Sequence, residues 1–160
     1  MFSAKPKRPL LLGIHSIFWT ALIADLMLLV TDSILTGLFT NQSVWRPSWI
    51  LASACMGKVV MHWPAVFDFA AILGAMIALF PFCYCYALIL ATVILPWSQN
   101  LAITAGTVFG ALCYFPSLYG LLHWRPWLIE ARGWEFFIAH VVFGLMATAV
   151  LLHRSRNYCD

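Results

Sequence analysis

Four long apolar runs constrain this chain more than any other feature. They cover about residues 11–35, 67–95, 101–122 and 134–152. A helix rising 1.5 Å per residue needs roughly 20 residues to cross a hydrocarbon core about 30 Å thick, and each run is of that order. Backbone amides in lipid must bond within their own segment, so each run is expected to be an α-helix; none alternates in the short segments of a membrane β-barrel. The expected fold class is an all-α membrane protein, a four-transmembrane-helix bundle in one domain over residues 1–160.

Composition agrees. Of 160 residues, 63% are hydrophobic and only 9% charged, whereas a soluble domain carries roughly a quarter charged. Eight Trp, twelve Phe and five Tyr suit the membrane interfaces, where amphipathic rings collect. A net charge of +3, with no basic run beyond Lys5, Lys7 and Arg8, gives no reason to expect nucleic acid. Those three charges precede an apolar run too long for a signal peptide, and no small-x-small cleavage site follows it, so it reads as a retained span. The five cysteines (Cys55, Cys83, Cys85, Cys113 and Cys159) form no CxxC or CxxCH and read as small apolar filler.

The connections differ in kind. "PWSQN", residues 96–100, is a tight turn that makes spans two and three antiparallel. The segment about 44–62, with its tryptophans, Arg46 and Lys58, is expected to be an amphipathic interfacial helix between spans 1 and 2, lying on the membrane surface, with a re-entrant segment as the alternative. "HWRPWLIEARG" is an aromatic, charged interfacial loop. Its Glu130 and Arg132, with Glu135, are expected to pair in solvent. Four spans put both termini on one side, which carries Lys5, Lys7, Arg8, Arg154 and Arg156 against Arg46, Lys58, Arg125 and Arg132 on the other. This bias points to cytoplasmic termini.

Helix packing in lipid depends on small residues and polar contacts. Ala70, Gly74 and Ala78 recur at four-residue spacing in the second span, and Ala102, Gly106 and Gly110 in the third. His140, Gly144 and Ala147 share a stripe in the fourth. His140 is therefore expected on a protein-facing side, donating to a neighbouring helix. Asp25 and Asp32 lie seven residues apart, on one face of the first span, with Thr31 and Ser33 nearby as hydrogen-bond partners. An intramembrane carboxylate is costly unless protein or water receives it. Two readings fit: a step in a proton or cation path, or a polar clamp between helices or subunits. Asp68 reads as a helix-start residue.

Nothing in the chain resembles a nucleophile with its base, a phosphate loop or a zinc-protease motif, so no catalytic residue is expected. His15 lies near one membrane face and His140 about 9 Å in from the other, so the two do not match as haem ligands. His62, His123 and His153 lie at or beyond helix ends, and no metal site is expected.

"NQSVWRPSWILASACMGKVVMHWPAVFDFAAILGAMIALF" and "RPWLIEARGWEFFIAHVVFGL" resemble the first loop with second span, and the last loop with last span, of a known family. Its members are small bacterial four-span membrane proteins, many carrying the automatic label "sodium:proline symporter". Genuine sodium-coupled proline carriers bind substrate between inverted repeats of broken helices, and neither is apparent here. The family's second span often carries a histidine; this chain has "ALFPFCYCYAL", with Pro81 and none. The resemblance implies shared structure at Asp68, Trp127, Glu130, Arg132, Trp134, His140, Phe143 and Gly144, and companionship with respiratory terminal-oxidase subunits.

The leading expectation is a non-catalytic accessory subunit of a larger membrane complex, whose helices shelter part of the intramembrane polar surface. The resemblance directs it to a haem-copper terminal oxidase, using cytochrome c or quinol, with haem and copper held by the partner subunits. The alternative is a small oligomeric proton- or cation-coupled transporter or channel using Asp25 and Asp32. A third is a quinone- or haem-binding redox subunit using His140. No cofactor is expected on this chain alone; a lipid or quinone in a groove is compatible with the class.

Overall fold

A computed structural model describes residues 14–62, 64–94 and 97–157, apart from the side chains of His62, Arg156 and Asn157. Lys5, Lys7, Arg8 and Cys159 lie outside them. Every described element is helical: α1 (Ile14–Phe39), α2 (Arg46–Met56), α3 (Phe69–Ile94), α4 (Gln99–Trp124) and α5 (Trp134–Asn157), with 3₁₀ turns at Lys58–His62 and Pro126–Ala131. Four of these, α1, α3, α4 and α5, are long and apolar enough to cross a membrane. The protein is a multi-pass, four-span helical bundle that contacts the lipid bilayer. Helix α1 runs four residues past the expected Leu35, ending on Leu38 and Phe39, and α5 runs five past Leu152 through a polar end.

The bundle closes unevenly. Helix α1 packs extensively on both α3 and α5, and α5 packs equally closely on α4. Helices α3 and α4, though joined by the shortest connection, touch sparsely. The core runs along α1 and α5, through Ala21, Ala24, Leu28, Phe143, Ala147 and Leu151.

The α4–α5 seam is built from glycine. A β-carbon on Gly110 would lie 2.7 Å from Gly144 Cα and would collide with the His140 carbonyl; one on Gly106 would collide with Thr148 Oγ1. Both helices therefore carry small-x-x-x-small pairs, and their backbones meet directly, as dispersion-driven packing in lipid favours. The second span departs from expectation. Gly74 is buried against Ala52 and Met56 of α2 rather than another span, Ala70 is exposed, and Ala78 only half-buried. The face of α3 within the main core carries Ala75, Leu79, Cys83, Ala87 and Ala91.

Helix α2 is the expected helix between spans 1 and 2, and it is more enclosed than expected. From Pro47 to Ser53 every residue is buried, so it has little of the open polar face of a surface-lying helix. It wedges against α3, and touches α1 and the Pro126–Ala131 turn. Side chains knit this cap together. Trp49 Nε1 donates to Val66 O at 2.9 Å, Ser43 Oγ to Ala65 O at 2.6 Å, and Trp127 Nε1 to Ser53 Oγ at 3.1 Å. Gly57 ends α2 at φ 91°, a left-handed angle that favours glycine.

Candidate functional site

Helix α1 carries two carboxylates on its core-facing side. Seven residues is nearly two helical turns, so Asp25 and Asp32 stack about 10 Å apart along the axis. Asp25 is fully buried and Asp32 only 6% exposed. Their surroundings differ.

Asp25 sits at mid-helix. The Sγ–H of Cys83 on α3 donates to its Oδ1 at 3.6 Å, and its Oδ2, fully buried, has no partner. Thr31, expected to serve these acids, instead donates to the Met27 carbonyl of its own helix at 2.7 Å. Cys83, read as apolar filler, is thus the residue that sequence reasoning missed. Depth holds the signal: Asp25 lies 14 residues before the cap-side end of α1, and Cys83 14 residues after the cap-side start of α3.

Asp32 lies nearer the cap and lines a cleft of about 210 Å³ opening beside α2. No described residue hydrogen-bonds to it. Thr36, Thr40 and Gln42 continue the polar wall, while Ile50, Leu51 and Phe136 supply an apolar one. Glu135 lies within electrostatic reach of Asp32. At the rim, Arg46 Nη2 binds Glu130 Oε2 at 2.9 Å, both side chains nearly half exposed. Glu130 therefore pairs with α2, 84 residues away in sequence, and not with Arg132 as expected. The α2 wedge carries Arg46 to the turn that holds Glu130.

His140 is 2% exposed. Its Nδ1 bonds the Phe136 carbonyl of its own helix at 2.9 Å, an arrangement in which Nδ1–H donates. Its ring lies edge-on to Phe136 and to Tyr114 of α4. The expected bond to a neighbouring helix is replaced by this local one, and α4 meets the ring with the aromatic edge of Tyr114. Asp68 opens α3, accepting from Ala70 N–H at 2.7 Å. Phe143 is fully buried near Tyr86, whereas Trp134 is half exposed and meets Phe39. Arg132 is exposed on the rim, and Arg125 lies over the Trp127 ring. His123 is exposed and His140 enclosed, so these two do not share an environment.

The intramembrane polar groups find their shelter within this chain. Asp25, Asp32 and His140 are all enclosed by this chain's own helices. Asp25 is met by Cys83 of α3, Asp32 by residues of α2 and α5 around its cleft, and His140 by Phe136 and by Tyr114 of α4. Among the described residues no three His, Cys, Asp or Glu side chains group to hold a metal ion. Comparison with protein-family models, with curated proteins and with solved structures finds no match.

Proposed function

We propose that this protein takes up protons, or a small cation, from the cap side into the membrane through the cleft above Asp32. The single observation supporting this is the pairing of an open polar cleft ending on an unpartnered Asp32 with a second, sealed acid on the same helix face. A carboxylate deep in a membrane is expensive to keep, and a purely structural clamp would engage both oxygens. Asp25 leaves one oxygen free. In this reading Asp32 exchanges protons with cleft water, and Asp25 is the deeper acceptor, oriented by Cys83. Transfer between them covers about 10 Å, so it requires water to enter between α1 and its neighbours during turnover. The charge bias and the family resemblance support a bacterial inner membrane with cytoplasmic termini, and hence a cap facing outward.

Reconstitution into liposomes holding a pH-sensitive dye tests this. An imposed gradient should drive proton entry that Asp32→Asn and Asp25→Asn each reduce at least tenfold. Entry unchanged in both variants would overturn the reading.

The accessory-subunit reading keeps one observation in its favour. Where α3 and α4 touch sparsely, an apolar groove of about 330 Å³ opens between them, lined by Val93, Trp97, Leu101, Ala105, Val108 and Leu112. In that reading a partner helix, lipid or quinone fills the groove, and the resemblance points to an oxidase core. Purification from native membranes in mild detergent tests it: co-elution with haem-containing subunits supports it, and elution of this chain alone counts against it.

A further inference from the structure

The cleft over Asp32 has a definite charge and size. Its lining holds three carboxylates (Asp32, Glu130 and Glu135) and two guanidiniums (Arg46 and Arg132), a formal balance of one negative charge. Arg46 and Glu130 neutralise each other at the rim, which leaves the acids at Asp32 and Glu135 facing the single exposed Arg132. Asp32 is 94% shielded from solvent, 6% remaining exposed, and accepts no hydrogen bond from any described residue. A buried carboxyl group that no described residue hydrogen-bonds is the feature a cationic ligand would complete.

The shape of the lining restricts what that ligand is. A bare metal ion needs several oxygen or nitrogen ligands converging within about 2–2.6 Å, and no such group of acidic, histidine or cysteine side chains exists among the described residues. A volume of about 210 Å³ is several times the roughly 30 Å³ of a water molecule. It is smaller than the roughly 300–1,000 Å³ of drug-sized sites. The neutral polar groups on one wall, the Thr36 and Thr40 hydroxyls and the Gln42 amide, can accept from N–H donors. The opposite wall, Ile50, Leu51 and Phe136, suits a short hydrocarbon.

We propose that the cleft binds a small organic monocation through an ammonium group, with Asp32 as its buried counter-charge and the α2–α5 wall against its apolar part. This rests on the reading of the cleft as an entry for positive charge, and names the class of cation it selects. The ammonium donates to the Asp32 carboxylate and to a hydroxyl of the α1 wall, neutralising the cleft.

The test is thermal unfolding of the full-length protein in detergent during titration with n-butylammonium chloride. Sodium chloride at matched ionic strength and n-butanol serve as controls. The expected result is a saturable rise in Tm with n-butylammonium alone, with half-saturation at least tenfold weaker in Asp32→Asn and a few-fold weaker in Thr36→Val. The second variant keeps the charge, so it carries the test if Asp32→Asn fails to fold. An equal response to sodium chloride or n-butanol, or an unchanged response in both variants, would overturn the proposal. Proton entry that needs Asp32, with no response to n-butylammonium, would overturn this inference and leave the proton reading standing. Saturable binding that needs Asp32, without proton entry, would support the site and overturn the proton reading.

Discussion

Helix α5 has two working sides, and they are built on opposite principles. Toward α4 it presents Gly144 and Thr148, which meet Gly110 and Gly106 so closely that no β-carbon fits without displacement. Toward α1, at the cap end, it presents Glu135 and Phe136 across an open polar cleft from Asp32. The first side gains dispersion from backbone contact and leaves no room for solvent. The second leaves a buried acid without a partner. The contrast teaches that this bundle separates what holds it together from what is available for chemistry, and puts the two at different levels of one helix, Phe136 lying at the cap end and Gly144 two turns further on.

The separation can be broken most severely at the glycines. Gly110→Leu should destabilise the protein by more than about 3 kcal/mol, since overpacking at a backbone contact has no flexible neighbour to absorb it. Detergent-to-denaturant unfolding would measure it, and a variant as stable as the parent would show the seam to be looser than described. Asp32→Asn is the opposite case. It keeps shape, so stability should change by less than about 1 kcal/mol while proton entry falls at least tenfold; equal losses of both would merge the two sides into one. Trp127→Phe removes the indole donor to Ser53 and should cost about 1 kcal/mol, read as a lowered Tm with the α4–α5 seam unaffected. Arg46→Gln removes an ion pair whose members are 40% and 47% exposed. It should cost about 0–1 kcal/mol, and its stability effect should vanish at high salt.

Long-range order was legible where it follows from one segment at a time. The spans could be read because hydropathy over some 20 residues is a local property, and because lipid permits no irregular backbone. The α4–α5 glycines could be read because four-residue spacing places them on one stripe. Asp25 and Asp32 could be placed on one face for the same reason. Partnerships between segments could not be read so. Cys83 looks like any small apolar residue until α3 is docked at a depth that sets it beside Asp25. Arg46 and Glu130 meet only because α2 is driven into the bundle, and α2 is buried because Gly74 and Ala71 leave space for Ala52 and Trp49. His140 misled for a related reason: its stripe was right, but its ring bonds its own preceding turn and meets α4 through the Tyr114 ring.

The pairing of α1 with α5 joins the first and the last of the described spans. A ribosome delivers the spans in order, so α1 enters the bilayer well before Trp134 emerges. Throughout that interval Asp32 lacks the wall that Glu135 and Phe136 later provide. Until α5 arrives, the nascent protein carries an unshielded acid in α1, and its insertion depends on the translocation machinery, or an early hairpin with α3, keeping that acid out of the fatty-acyl interior.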